Sequence, residues 1–437
     1  MVKKYKASIY TLGCRVNLYE SEAIADGLSE NGFEICDFSE VCDVYIINTC
    51  TVTAESDRKS RQIIRRAIKT NPDARILVCG CYSQMFPSDV SIIENVDYIG
   101  GTTDKMQIVS KAKEVAEKGK NKYPYMNVGD PFESDFESME ATLQDRTRAF
   151  LKIEDGCNNK CSYCIIPKAR GTVRSKPIDD VICEVEKIVS NGYREIVLVG
   201  IETAAYGSGK GYSLIDLLER LEDIEGLDRI RLGSIEPAYL KDNVIERLSK
   251  LKKTMPHYHL SLQSGKDKTL NAMRRRYNTK MIDRCVSYMR EMIPNVTFGS
   301  DFIVGFPGET EEDFEDTIEF IDSLDILNSH IFSYSIRPGT EAAEMIEQVM
   351  PDIKEKRHKS MQTMADCSEK RCIERFIDNK TILEVLFEKE SDGYFYGYTN
   401  NFIYVKVKSG RNLCGSIEKV VLSKYNEIDR ITEGDLI

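Results

Sequence analysis

Apolar runs alternate with helical patterns along most of this chain, and that alternation constrains the fold more than any other feature of the sequence. Between Lys6 and about Lys118 the runs 7–12, 43–48, 74–78 and 96–99 are separated by segments such as 21–31 and 56–70, whose apolar residues recur at helical spacing. A strand, a helix and a second strand pair in parallel, because the crossover returns the chain to the same end of the sheet. Six further strand-like runs, 149–153, 195–199, 229–232, 258–262, 296–304 and 330–334, are separated by helical patterns at 179–191, 214–222, 243–251, 279–292 and 311–324. That succession predicts a six-unit partial barrel with its chemistry at the carboxyl ends of the strands. Residues 119–145 lack a sustained period and read as a linker. From residue 382 on, short alternating runs (394–398, 403–408, 418–422) between Gly, Ser and Asn turns predict a small all-β barrel. The expected class is α/β: a parallel-sheet domain over 1–118, a linker over 119–145, a partial (β/α)6 barrel over 146–374 and a β-barrel over 375–437.

Side chains just beyond the carboxyl ends of parallel strands converge, even when far apart in sequence. Cys14 follows the first strand in TLGCRVN, Cys50 the second in IINTCTVT and Cys81 the third in VCGCYSQ, each beside a turn-forming residue. Cysteines often pack as small apolar residues, and Cys36, Cys42 and Cys183 are read that way. The shared placement of Cys14, Cys50 and Cys81 favours ligation instead. Cys79 would point to the same side as Cys81 if the strand ran on, but the turn begins at Gly80.

The stretch DGCNNKCSYCIIP places Cys157, Cys161 and Cys164 in one loop with the spacing C-x3-C-x2-C. Three thiolates on a cubane iron–sulfur cluster leave one iron open to a non-protein ligand. A zinc site completed from elsewhere is the alternative reading, but the nearest histidine in sequence is His257 and paired zinc-ligand spacing is missing. Fourteen cysteines in 437 residues fall short of a disulfide scaffold.

No stretch approaches the roughly 18 apolar residues of a membrane-spanning helix, so the expectation is a cytoplasmic protein without membrane contact. The net charge of −11 argues against indiscriminate nucleic-acid binding, but basic clusters remain. The helix at 56–70 carries Arg65 and Arg66 among its cations, and MRRRY at 273–277 carries Arg274 and Arg275; each cluster could meet phosphate or be solvated.

The three-cysteine loop, with Tyr163 before its third cysteine, resembles the signature of radical S-adenosylmethionine enzymes. Together with TLGCRVN, NTCTVT and GCYSQ, it resembles the methylthiotransferase family over nearly the whole chain. The resemblance implies two [4Fe–4S] clusters, one on Cys157, Cys161 and Cys164 that chelates S-adenosylmethionine, and an auxiliary one on Cys14, Cys50 and Cys81. It implies cofactor contacts from Tyr163, Gly200, Glu202, Ser234, Glu236, Gln263 and Gly305, and it names no catalytic side chain. The carboxy-terminal unit resembles the family's RNA-binding TRAM barrel, with Lys406, Lys408, Arg411 and the tyrosines 394, 396, 398 and 404 as a candidate stacking and phosphate surface.

Arg15 and Val16 resemble the branch that methylthiolates N6-threonylcarbamoyladenosine at carbon 2, 3′ of the anticodon at position 37. The branch acting on isopentenyladenosine usually shows Gln-Met there, and a third acts on a ribosomal protein. The implied partners are a tRNA anticodon stem-loop and an electron donor of flavodoxin or ferredoxin type, with the chain expected to be a monomer. A noncatalytic zinc-stabilised RNA-binding protein and a radical enzyme with a single cluster are the readings of another kind.

Overall fold

The computed structural model describes residues 5–118, 120, 123–142, 144 and 146–437. Its amino-terminal sheet contains β1 (Lys6–Thr11), β2 (Glu34–Ile35), β3 (Val44–Thr49), β4 (Arg75–Gly80), β5 (Tyr98–Gly100) and β6 (Tyr125–Asn127). The order is β2-β1-β3-β4-β5-β6 and every pairing is parallel. All six residues of β3 are buried, as expected for a central strand covered by helices on both faces. The strands that precede Cys14, Cys50 and Cys81 are the adjacent trio β1, β3 and β4.

Three local expectations are corrected. Residues 119–145 do not act only as a linker, since β6 extends the sheet and Met139 and Ala141 enter the core of the next unit. The first helix spans Arg15–Glu30 and starts six residues before the expected 21–31. Its first turns look polar in sequence because Asn17 and Glu20 are buried polar groups with partners elsewhere in the fold. Cys183 is exposed, because the helix Ile178–Ser190 turns Val181, Val185 and Ile188 inward and leaves Cys183 off that stripe.

The second unit begins with β7 (Arg148–Lys152), followed by the short antiparallel pair β8 (Glu154–Asp155) and β9 (Arg174–Ser175). Five further strands are β10 (Glu195–Val199), β11 (Arg229–Leu232), β12 (His257–Gln263), β13 (Thr297–Val304) and β14 (Asn328–Ser333). The trio β11-β10-β7 and the trio β12-β13-β14 are each parallel. Isolated parallel bridges Ile230–Thr254 and Ile235–Leu260 join them at the β11/β12 seam. The result is the expected six-strand partial barrel.

Beyond it, the 28-residue helix Pro351–Asp378 packs against β14. Its apolar residues are too sparse for sequence periodicity to reveal. The chain ends in a closed barrel of β15 (Ile382–Ser391), β16 (Tyr394–Thr399), β17 (Tyr404–Lys408), β18 (Ile417–Asn426) and β19 (Ile431–Leu436), in the order β15-β16-β17-β19-β18. This β-barrel sits under the amino ends of the larger barrel's strands. Arg231 Nη2 donates to the Thr399 carbonyl (2.8 Å), Thr297 Oγ1 donates to the Asn401 carbonyl (2.5 Å), and Arg148 pairs with Glu388 (2.6 Å).

At the opposite end, the amino-terminal sheet and the larger barrel meet around Arg170, whose side chain is fully buried. Its guanidinium donates to Glu20 (2.6 Å), Asp155 (3.0 Å) and Asn17 Oδ1 (2.5 Å), and Lys152 pairs with both Glu20 (2.7 Å) and Asp155 (2.6 Å). Breaking a buried charge network by removing one member leaves the others unpaired, at a cost of about 3–5 kcal/mol. Arg170→Met is therefore expected to lower stability by about 3 kcal/mol or more in anaerobic urea unfolding; a loss below about 0.5 kcal/mol, the level of a neutral surface change, would contradict the role given to this hub.

Candidate active site

Gly80 has φ 103°, and a side chain there would come within 2.4 Å of the Thr49 carbonyl oxygen. The strand β4 therefore ends in a turn open only to glycine, and Cys81 begins the short helix Cys81–Met85. Cys79 stays inside the strand and packs in the apolar cluster with Ala7 and Leu77. Asn17 Nδ2 donates to the carbonyls of Leu12 (2.7 Å) and Thr49 (3.0 Å), which ties together the turns carrying Cys14 and Cys50. Those turns are in contact, because a side chain built at Gly13 would lie 2.7 Å from Cys50 Sγ.

The charge environment agrees with this convergence. Burial pushes the Cys50 thiol up to about 11, with Cys81 and Cys14 adding to the effect as neighbouring thiols. Arg170 Nε donates to Cys81 Sγ (3.3 Å), so the buried hub also touches this trio.

In the second trio, Cys157 follows β8 after Gly156, and Cys164 precedes the short helix Ile166–Arg170. Burial, then the Cys161 thiol, raises Cys164 to about 12. Arg275 Nη1 donates to Cys161 Sγ (3.0 Å) and the Asn159 N–H donates to Cys157 Sγ (3.4 Å). Burial keeps the Cys157 and Cys164 thiols protonated, so metal would bind here with release of protons, and the donated bonds would stabilise the thiolates that form.

Among the described residues, only His259, Asp301 and His330 bring three ligand atoms within 4.8 Å of one another.

The expected cofactor contacts gather around the Cys157 loop. Glu202 accepts from Asn159 Nδ2 (3.0 Å), and burial, helped by the Glu236 carboxylate, pushes its carboxyl up to about 7. Beside Gly200, one Glu154 oxygen accepts the Glu202 N–H (2.8 Å) while the other is buried without a partner. These carboxylates and Asn159 fit an ammonium group that needs acceptors. Gln263 sits at φ 68°, a strained conformation for its type, and lines a cavity of about 250 Å³ together with Tyr163 and Thr53. Gly305 begins a turn held by Glu309, which accepts the Gly305 N–H (2.6 Å) and pairs with Arg357 of the long helix (2.8 Å).

A second cavity of about 380 Å³ is lined by Cys14, Arg15, Gly200, Ser234, His259, Asp301 and His330. It shares Asp301 and Phe332 with the first, and Arg15, His259 and His330 with a deeper one of about 190 Å³. Together they form a cleft inside the partial barrel, roofed by the loops that carry Cys14 and Cys50.

Two expected RNA contacts are corrected. Arg275 is buried, pairs with Glu236 (2.9 Å) and bonds Cys161, so it belongs to the cluster loop; Arg274 is exposed beside Glu341 (2.6 Å). Tyr398 stacks on Phe402 (4.7 Å) under Arg148 and is used in the seam between the two barrels. Arg65 and Arg66 are exposed, as is Lys408, while Lys406 pairs with Glu433 (3.1 Å).

The sequence reading missed Arg170, Glu20, Asp155 and the His259–Asp301–His330 group. One signal for the last was available. In HYHLSLQ the residues His257, His259, Ser261 and Gln263 alternate with buried Tyr258, Leu260 and Leu262, which puts the polar set on one face of β12.

A model of the radical SAM superfamily matches residues 151–321, and one described as uncharacterized protein family UPF0004 matches residues 6–101. A solved radical S-adenosylmethionine methyltransferase, TsrM from Kitasatospora setae, shares the fold with a TM-score of 0.56 at 16% identity, covering 78% of this chain and 77% of that one. With the three-cysteine loop at the mouth of a partial barrel, these matches define a radical S-adenosylmethionine enzyme. The chain is 40% identical over 433 residues to the threonylcarbamoyladenosine tRNA methylthiotransferase MtaB of Bacillus subtilis, covering 96% of this chain and 95% of that protein. It is 35% identical to the Aquifex aeolicus protein of the same name (95% and 100% covered), and 30% identical to the tRNA-2-methylthio-N(6)-dimethylallyladenosine synthase of Hydrogenobaculum (99% and 100%). The chain belongs to the MtaB-like methylthiotransferase family. Its cofactors are S-adenosylmethionine and [4Fe–4S] clusters, two being typical of the family.

Replacing Cys157 with Ala should abolish reductive cleavage of S-adenosylmethionine while the amino-terminal cluster still assembles. Anaerobic cleavage with dithionite, followed by chromatography of 5′-deoxyadenosine, measures this; cleavage retained at the wild-type rate would remove Cys157 from the site.

Proposed function

We propose that this chain methylthiolates N6-threonylcarbamoyladenosine at carbon 2, at position 37 of tRNA. The observation that carries this reading is the cleft between two cysteine trios, with Thr53 and Tyr163 from the two cysteine-bearing loops on one cavity wall.

Cys157, Cys161 and Cys164 would hold one cluster with S-adenosylmethionine, and Cys14, Cys50 and Cys81 the other. When bound, these groups supply a 5′-deoxyadenosyl radical able to take the carbon-2 hydrogen, which is too weakly acidic for an ordinary base, and a sulfur that becomes methylated. The protein's part is positioning. Glu202, Asn159 and the unpaired Glu154 oxygen would orient the cofactor's ammonium, and Arg275 holds the Cys161 sulfur while its own charge is balanced by Glu236. Ser234 and Gln263 line the cavities and Gly305 shapes the adjoining turn, which suits contacts to the remainder of the cofactor. Arg337 donates from the barrel side to Thr51 (2.8 Å) and Asp57 (2.7 Å), and Ser335 Oγ accepts the Ala54 N–H (3.0 Å), so the Cys50 loop is pinned over the cleft as a roof against water.

The anticodon stem-loop would approach across Arg65 and Arg66 and the outer face of the small barrel. There Tyr396 and Tyr404 stack (6.1 Å) and Lys406 and Lys408 lie over Tyr394. A flavodoxin- or ferredoxin-type donor would supply electrons to a monomeric, cytoplasmic enzyme. No helix among the described residues is long and apolar enough to cross a membrane.

The test is anaerobic turnover of tRNA containing threonylcarbamoyladenosine, read by mass spectrometry of nucleosides with a methyl-labelled cofactor. Labelled 2-methylthio-N6-threonylcarbamoyladenosine is expected; methylthiolation of isopentenyladenosine alone would replace this substrate with the other.

A further inference from the structure

The arginines around the central cleft are consumed by carboxylates of the protein itself. Arg148 pairs with Glu388 (2.6 Å), Arg231 with Glu195 (2.6 Å), Arg275 with Glu236 (2.9 Å) and Arg337 with Asp57 (2.7 Å). Arg15 is the exception. Among the described residues its guanidinium has neither an ion pair nor a hydrogen bond, and its one specific contact is the Phe150 ring, 6.0 Å away.

This cation lines the cleft. Arg15 lines both the 380 Å³ cavity, next to Cys14, and the deeper 190 Å³ cavity, whose walls also include Arg148 and Arg231. The carboxylate facing it, Asp301, is already engaged by His259 (3.1 Å) and His330 (3.0 Å). The residue itself is exposed, and a guanidinium without an anion of its own, in a space with further cations, is a site that an incoming carboxylate completes.

We propose that Arg15 reads the carboxylate of the threonylcarbamoyl group and thereby selects among N6-substituted adenosines. This inference rests on the function proposed above. Carbon 2 and the N6-bearing carbon flank the same ring nitrogen, so a base presented at carbon 2 to the roof near Cys14 extends its N6 substituent alongside. The threonyl unit ends in an acid and carries a methyl group, and the deep cavity offers Arg15 beside Val197 and Phe402. An isopentenyl substituent has no charge to offer. Seated here it would leave the guanidinium desolvated and unpaired, which is discrimination by penalty as well as by attraction. A backbone phosphate of the tRNA could also pair with Arg15, and the test separates the two sources of anion.

Wild type, Arg15→Gln and Arg15→Lys are compared on two anticodon stem-loops, one with N6-threonylcarbamoyladenosine and one with its carboxylate converted to the primary amide. Turnover is measured anaerobically as kcat/KM, affinity is measured without reductant, and iron per chain is counted because Cys14 is adjacent. Wild type should prefer the acid by at least about 30-fold, the low end for a desolvated charge pair. Arg15→Gln with full iron should lose that preference through its activity on the acid, and Arg15→Lys, which keeps the charge without the planar fork, should fall between. A wild type that does not discriminate, or an Arg15→Gln that still does, overturns the proposal. Equal losses on both RNAs would assign Arg15 to a phosphate instead and overturn it too. If wild type turns over neither RNA, the proposed function fails. The affinities then decide on Arg15 separately, and equal binding of acid and amide counts against it.

Discussion

Arg170 ties the two halves of the site together. It follows the three-cysteine loop by six residues, yet its guanidinium reaches Glu20 and Asn17 of the first helix and Cys81 of the other trio. Burial opposes its charge, but Asp155 and Glu20 outweigh that and raise its pKa further; in return Glu20 is held well below the ordinary carboxylate range by Arg170, Lys105 and Lys152. Four cations, Arg170, Lys105, Lys152 and Arg174, therefore surround two carboxylates, and Arg170 brings this positive charge to the Cys81 thiol. A buried ion network adds little net stability compared with apolar packing. Its value here is registry, because the groups satisfy one another only when the amino-terminal sheet is docked on the barrel in one position.

Both ends of the partial barrel are closed by other parts of the chain, which makes its interior a usable cavity. The amino-terminal sheet covers the carboxyl ends of the strands, where Arg337 and Ser335 grip the Cys50 loop. The small β-barrel covers the amino ends through Thr399, Asn401 and Phe402. The same unit thus plugs the floor with one face and leaves Tyr394, Tyr396, Tyr404 and two lysines on another. Under the proposed function, a barrel placed in this way would set the distance between RNA on its outer face and the cleft.

Much of this was legible because strand ends and turns leave strong local marks. Cys14, Cys50 and Cys81 could be grouped from their places after three apolar runs, and the strand order β1-β3-β4 puts those ends side by side. Six strand-like runs gave the partial barrel for the same reason. Buried charge was not legible. Glu20, Asp155, Arg170 and Arg275 are polar residues whose partners lie far away in sequence, so periodicity assigns them to the surface. On that ground Arg275 reads as a group that meets phosphate or solvent, and only the fold brings it to Cys161 and Glu236. The seam between the barrels was hidden likewise, since a tyrosine that packs under an arginine looks the same in sequence as one that stacks on a base. The long helix Pro351–Asp378 was missed because its buried residues are spread among charges that pair locally.

The central claim is that two cysteine trios hold two clusters across one cleft. It is tested most directly by anaerobic reconstitution with iron and sulfide, then iron counting and Mössbauer spectroscopy of wild type and a Cys14/Cys50/Cys81 triple alanine variant. About eight irons per wild-type chain, in two cubanes, should fall to about four in the variant, with the remaining spectrum that of a single cluster. About four irons in both proteins would contradict the account and return the amino-terminal cysteines to packing.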